Sequence, residues 1–249
     1  YKKKLGEALA KQTKIGKINE ELTRRGQGWR EIAESRKADL ELLSRDLPEA
    51  GQASFTRQQS PLGLGHAVWC AREIVGNEPF AVLLPDVLVK AQRSCLGQMV
   101  DAYNALGGKS NVIAVEEVPQ DKVHMYGIVG KGKEHGKDKG NAFEITQMVE
   151  KPKKEDAPSN LSITGRYILQ PEIFDVLATQ EKGAGGEIQL TDAMIALAKK
   201  QPFYGVKFSG TSYDCGSKIG FLTANVAYGL AREDLSAAFR EEIKSLLGK

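Results

Sequence analysis

Four short stretches of this sequence hold charged residues where a binding site could use them. Asp86 follows the apolar run Phe80-Ala81-Val82-Leu83-Leu84 and Pro85, and open α/β sheets take their ligands at the carboxyl ends of such strands. A lone aspartate there also serves as an ordinary turn or helix-cap residue. Val149-Glu150-Lys151-Pro152 sets a carboxylate beside an ammonium at the end of a second strand-like run. Neighbouring strand residues face opposite ways, so both can reach one site only if the chain bends near Pro152. Tyr213-Asp214-Cys215-Gly216 again puts an aspartate next to a glycine that permits close backbone approach. Gly183 through Asp192 is a glycine-rich loop entering a helix, where Thr191 and Asp192 also read as simple helix-start residues.

Metal chemistry based on nitrogen or sulfur is excluded by spacing. His66, His124 and His135 are scattered, and Cys70, Cys95 and Cys215 show none of the close spacings of a zinc site. An odd number of cysteines fits free thiols in a reducing cytoplasm better than a disulfide set. Any metal must then be held by carboxylates, which points to Mg2+.

Composition leaves the class open but removes several alternatives. With 249 residues, 41% hydrophobic and 27% charged, the chain suits one or two soluble domains. No apolar run approaches the ~20 residues needed to span a bilayer, so no membrane association is expected. Tyr1 is followed by Lys2-Lys3-Lys4 and no apolar stretch, so no secretory leader is expected. A chain that starts on Tyr is expected to be part of something longer. Residues 1–37 carry eleven Lys or Arg against five acids, a balance of +6 that leaves the remainder at −3. Only Trp29 interleaves these charges, which sit among acids at helical spacing; this describes a solvated helical face, with no nucleic-acid partner expected.

Two nucleotide motifs fail on inspection. Gly107-Gly108-Lys109-Ser110 ends like a Walker A loop, but Tyr103 stands where the first glycine belongs and the segment precedes a strand. Gly63-Leu64-Gly65 would begin a dinucleotide fingerprint whose third glycine falls on Val68.

The elements that must position the charged residues alternate. Two helical stripes open the chain, one through Ile15, Ile18 and Leu22, the other through Trp29, Ile32, Ala33, Leu40, Leu43 and Leu47. Strands are expected at 54–58, 80–84, 111–118, 126–130, 143–150, 161–169 and 203–208. The 80–84 strand reads as buried on both faces. Helices are expected at 66–75, 95–106, 171–179 and 189–199, with two more before the C-terminus, and a lysine- and glycine-rich hairpin at 131–140. Strands separated by helices imply an α/β fold, a mostly parallel mixed sheet flanked by helices.

Taken in order, the motifs resemble the bacterial UTP–glucose-1-phosphate uridylyltransferases. The matching residues are Arg57-Gln58 with Gly63-Leu64-Gly65-His66-Ala67-Val68, Leu84-Pro85-Asp86-Val87, Tyr126-Gly127, Val149-Glu150-Lys151-Pro152 and Ala157-Pro158-Ser159-Asn160-Leu161. They continue with Gly165-Arg166-Tyr167, Gly183 through Asp192, and Tyr213-Asp214-Cys215-Gly216 with Lys218-Ile219-Gly220. The likeness runs from about Lys37 to the end. It implies a three-layer nucleotidyltransferase-like fold with an incomplete N-terminal part, a basic segment 1–36, a catalytic domain 37–249, and C-terminal helices 217–249 that help form a homo-oligomer.

The resemblance implies the reaction UTP + glucose 1-phosphate → UDP-glucose + pyrophosphate in the cytoplasm. By the same likeness, Gln58 would hydrogen-bond the uracil edge and Gly63 would let the backbone approach the base. Asp86 and Asp214 would hold Mg2+, Gly127 and Glu150 the glucose hydroxyls, and Lys151 the sugar phosphate. Gly165 would leave room beside the hexose and Glu187 would support its pocket. Catalysis by alignment and charge neutralisation needs no side-chain nucleophile.

One family feature is missing. Family members open with a strand, a Gly-x-Gly-Thr-Arg loop and a downstream lysine that cradle the triphosphate, and no such loop occurs in these 249 residues. Weak turnover is therefore expected of this chain, with a gap between the 54–58 and 80–84 strands. The readings that stay open are an active uridylyltransferase part, an inactive remnant, and a sister enzyme using dTTP or GTP.

Overall fold

A computed structural model of the chain describes Arg24, Lys37, Glu41, Ser44 and residues 47–136 and 141–248. The two N-terminal apolar stripes lie outside the described residues except for Leu47, which is exposed, and so do residues 137–140 of the expected hairpin. The chain divides into two units, Tyr1–Phe55 and Thr56–Lys249. In the first, a short turn forms where the Glu49 N–H donates to Gln52 Oε1 at 2.8 Å and the Gln52 N–H to the Glu49 carbonyl at 3.0 Å.

The second unit begins with two short helices, α1 (Leu64–Trp69) and α2 (Arg72–Val75), followed by strands β1 (Phe80–Leu83) and β2 (Val87–Lys90). Then come α3 (Cys95–Ala105), β3 (Asn111–Glu117), β4 (Gly127–Glu134), β5 (Ala142–Glu150), β6 (Leu161–Leu169), α4 (Ile173–Thr179), α5 (Leu190–Ala198) and β7 (Phe203–Lys207). The chain finishes with β8 (Thr211–Asp214), α6 (Lys218–Gly229) and α7 (Ser236–Leu247).

Six strands form a sheet in the order β1-β6-β3-β7-β5-β4, with β4 also pairing β6. β3 is buried on both faces, with Asn111 to Val115 all buried. Its side chains alternate as a strand must. Ile113 and Val115 enter a core with α1, α4 and α5 residues such as Val68, Leu177 and Met194, while Val112 and Ala114 enter a second core with Cys95, Met99 and Ala102 of α3. The result is the three-layer arrangement of helices on both faces of a mixed sheet.

Three expectations need correction. The sheet is mixed, as read, but its ladders are not mostly parallel: β3–β7 is its one parallel pair among the described residues. β1, β3, β7 and β4 do share a direction; β6 lies between β1 and β3 and runs against them, turning both ladders antiparallel. β1 is half buried instead of buried on both faces. It pairs β6 on one side, stacks Phe80 on Phe174 at 4.9 Å, and leaves Leu83 48% exposed. No strand forms at 54–58, a stretch that has no sheet partner among the described residues. The sequence reading also missed β2 and β8, which form a separate two-stranded antiparallel ribbon.

Candidate active site

The ribbon is what brings the two aspartates together. β2 and β8 pair with Val87 opposite Asp214, and the Cys215 N–H extends the ladder by donating to the Asp86 carbonyl at 2.7 Å. Asp214 Oδ1 accepts from the Gly216 N–H at 3.0 Å. A Cβ placed on Gly216 would stand 3.0 Å from Asp214 Oδ1 and 3.3 Å from Asp86 Oδ2, so both carboxylates converge on space that only glycine leaves free.

The loop carrying Asp86 is clamped from β6. Arg166 Nη1 donates to the carbonyls of Leu84 at 2.7 Å and Gly165 at 3.0 Å, and Nη2 donates to the carbonyl of Val87. One guanidinium thus grips the main chain on both sides of Asp86, using the planar donor fork that lysine lacks. Gly165 sits at φ 63 within β6, and a Cβ there would meet Leu84 at 3.0 to 3.2 Å. Its lack of a side chain serves the packing of Leu84 against β6.

Asp86 and Asp214 line a cavity of about 460 Å3 together with Gly127, Glu150 and Gly165. Gly127 and Glu150 are cross-strand partners in β4 and β5, and a Cβ on Gly127 would lie 3.1 Å from Glu150 Oε2. The bend required after Glu150 is present: β5 ends there, and Lys151 adopts a left-handed φ of 46 while its N–H donates to the Tyr126 carbonyl at 3.0 Å. A non-glycine residue in this region marks a constrained position. Lys151 is exposed and lies beside the cavity without lining it.

Gln58, Gly63 and Glu187 form a second cluster next to the cavity. Leu62 accepts from the Ile188 N–H at 2.7 Å, and the Gly65 N–H donates to the Ile188 carbonyl at 2.8 Å, so the two loops run together like paired strands. Gly63, at φ 106, allows this, because a Cβ there would lie 2.7 Å from the Ile188 carbonyl oxygen and 2.8 Å from Glu187 Cβ. Gln58 Nε2 donates to the Gly63 carbonyl at 3.0 Å, and Gln189 Nε2 donates to Glu187 Oε2 at 3.1 Å. Leu64 and Gln189 from these loops line the cavity.

Several lining residues escaped the sequence reading. Glu116, near the end of β3, accepts from Ser212 Oγ at 2.6 Å. The strand-end rule that picked out Asp86 could have found it; Ser212 was hidden because β8 was not recognised. Thr164 Oγ1 is buried in the wall with no partner among the described residues, and strand periodicity does not distinguish it.

The cavity is electrostatically negative. The Tyr126 phenol is held above its ordinary range by burial first and then by Asp214 and Glu116. Tyr167 is raised by burial, then by Glu150, while Arg166 lowers it and Asp86 adds a smaller increase. No group of three or more His, Cys, Asp or Glu converges among the described residues. Two carboxylates in a negative pocket suit a divalent cation.

The sequence matches the nucleotidyl transferase family over residues 4–229. It is 52% identical over 157 residues to a UTP–glucose-1-phosphate uridylyltransferase of Komagataeibacter xylinus, covering 63% of this chain and 53% of that protein. It is 42% identical over 210 residues to one of Staphylococcus epidermidis, covering 84% of this chain and 71% of that one. A crystal structure of a UDP-glucose pyrophosphorylase complexed with UDP-glucose superposes with a TM-score of 0.67 at 40% identity, over 72% of this chain and 66% of the other. The chain thus spans about half of the first relative's length and about two thirds of that structure. Its sequence, its mixed sheet and the order of its motifs place it in the nucleotidyl transferase family, among the bacterial UTP–glucose-1-phosphate uridylyltransferases.

Proposed function

We infer that this chain carries the sugar- and metal-binding half of a uridylyltransferase acting on UTP and glucose 1-phosphate. The observation that carries this reading is the convergence of Asp86 and Asp214 over Gly216 in the same cavity as the Gly127–Glu150 pair. A neutral hexose suits a carboxylate beside an open backbone, as Glu150 and Gly127 provide. Lys151, just outside, neutralises the sugar phosphate. Asp86 and Asp214 hold Mg2+, which when bound neutralises charge on the phosphates. A sugar-phosphate oxygen then attacks the α-phosphorus in line, and pyrophosphate leaves. The protein's part is to align the two anions and screen their repulsion. Gln58 and Gly63 take the base, and Glu187 supports the loop between base and sugar.

Calorimetry with UDP-glucose and Mg2+ tests this reading. Binding is expected, and Glu150→Gln is expected to weaken it at least tenfold, on the order of 1.4 kcal/mol. Unchanged affinity in that variant would overturn the assignment. Pyrophosphate release with glucose 1-phosphate is expected to be weak and to favour UTP over dTTP and GTP. The candidate surface for homo-oligomer formation is α6, which exposes Ile219, Phe221 and Leu222; light scattering before and after Leu222→Glu checks it.

A further inference from the structure

The amide of Gln58 has its two hydrogens committed to different partners. Nε2 lies 3.0 Å from the Gly63 carbonyl and 2.9 Å from Nδ1 of His66. A carbonyl oxygen can only accept, so the amide group facing Gly63 must be the NH2. Its second hydrogen then points at His66 Nδ1, which must accept, and this places the imidazole proton on Nε2.

His66 itself is held by its own helix. Its ring stacks on Trp69 with centroids 5.9 Å apart, and the Arg72 guanidinium carbon lies 3.7 Å from the Trp69 ring centroid. The Cys70 sulfur is 3.9 Å from Nδ1 and 4.0 Å from Nε2, nearly equidistant and so aimed at neither lone pair. Gln58 is the only close nitrogen or oxygen partner of His66 Nδ1 among the described hydrogen bonds.

With both hydrogens turned inward, the free atom of the amide is Oε1, an acceptor. Uracil presents N3–H, a donor, between its two carbonyls. Cytosine presents a bare N3 lone pair at the same place. An outward Oε1 therefore pairs with uracil and faces cytosine lone pair to lone pair.

We propose that His66 is a specificity-positioning residue: its Nδ1 locks the Gln58 amide with Oε1 outward, so that the site accepts uracil and rejects cytosine. This rests on the reading of Gln58 as the residue that meets the base. Without the imidazole, one hydrogen bond to the Gly63 carbonyl holds the amide where two did, so the turned amide that offers its NH2 to cytosine is disfavoured less. A site built around a hydrogen bond discriminates strongly because a mismatch leaves polar groups unpaired.

The test is calorimetric binding of UDP-glucose and CDP-glucose to the chain and to three variants. The unchanged chain is expected to favour UDP-glucose by about a hundredfold or more. His66→Leu is expected to shrink that ratio about tenfold, and His66→Asn, whose Oδ1 can stand where Nδ1 stood, to restore most of it. A merely structural role for His66 would weaken both ligands in parallel and leave the ratio unchanged, which would overturn the proposal. Gln58→Leu separates the two levels of the argument. If it abolishes discrimination while His66→Leu does not, Gln58 reads the base without help from His66, and the proposal fails alone. If Gln58→Leu keeps full discrimination, or the unchanged chain does not prefer UDP-glucose, the base-reading role and the proposal fall together.

Discussion

The Cys215 backbone N–H donates to the carbonyl of Asp86 at 2.7 Å, tying the residue after one acidic site residue to the main chain of the other. The spacing of the two carboxylates is therefore set by main-chain pairing, and Gly216 alone leaves the space between them. Gly216→Ala would put a methyl 3.0 Å from Asp214 Oδ1. The expected result is Mn2+ binding, read by electron paramagnetic resonance with UDP-glucose present, about tenfold weaker at little cost in stability. Unaltered Mn2+ affinity would argue against a metal between these carboxylates.

Lys151 is held at a left-handed φ. At φ 46 a lysine costs about 1 kcal/mol relative to glycine. Lys151→Gly should therefore melt at the same or a higher temperature while binding glucose 1-phosphate at least tenfold more weakly. Parallel loss of stability and binding would show that the side chain is structural.

Gly127 keeps space for the Glu150 carboxylate. In Gly127→Ala the new methyl would crowd Oε2 at 3.1 Å and Ile163 Cδ1 at 3.1 Å. Glucose 1-phosphate and UDP-glucose should bind several-fold more weakly while UTP binding is retained, as calorimetry with each ligand would show. An equal loss for UTP would place Glu150 elsewhere in the mechanism.

Arg166 should matter through the loop it clamps. Arg166→Lys keeps the charge but loses the fork that reaches the carbonyls of Leu84 and Val87. Weaker Mn2+ binding with a modest fall in melting temperature, of a few degrees, is the expected outcome. A fall in stability with Mn2+ affinity untouched would confine Arg166 to packing.

Cys95 supplies a pH dependence with a definite sign. Burial in the core between α3 and β3 raises its thiol from 9.0 to about 11, with Arg166 lowering it and Glu116 raising it. The folded state disfavours the thiolate, so this contribution is intact below pH 9.0 and is lost as the pH rises toward about 11. The loss amounts to at most about 3 kcal/mol. Cys95→Ala should flatten that decline in urea denaturation, and an identical decline in both proteins would refute it.

Much of this molecule was legible before folding. β6 was bounded by its residues alone, because Leu161 to Leu169 carries the β-branched and aromatic residues Ile163, Thr164, Tyr167 and Ile168 between the turn signals Pro158-Ser159-Asn160 and Gln170-Pro171. The bend after Glu150 was required by strand geometry once both charges were assigned to one site. By contrast, Val87–Lys90 and Thr211–Asp214 are four residues each, too short to show a period, and each becomes a strand only by pairing with the other. The half-exposed β1 was misread for a similar reason: composition records how apolar a strand is, and neighbours decide how many of its faces are covered.

The sequence by itself determined the family, much of the succession of elements and the kinds of groups the site would need, because motif order and periodicity are local properties of the chain. Tertiary structure decided which of those groups meet. It brought Asp86 and Asp214 together over Gly216, set Arg166 under the Asp86 loop and turned the Gln58 amide toward His66. The hydrogen bonds that fix Asp86 join residues about eighty or more positions apart. Local patterning carries no record of such pairings; they exist only once the core has closed.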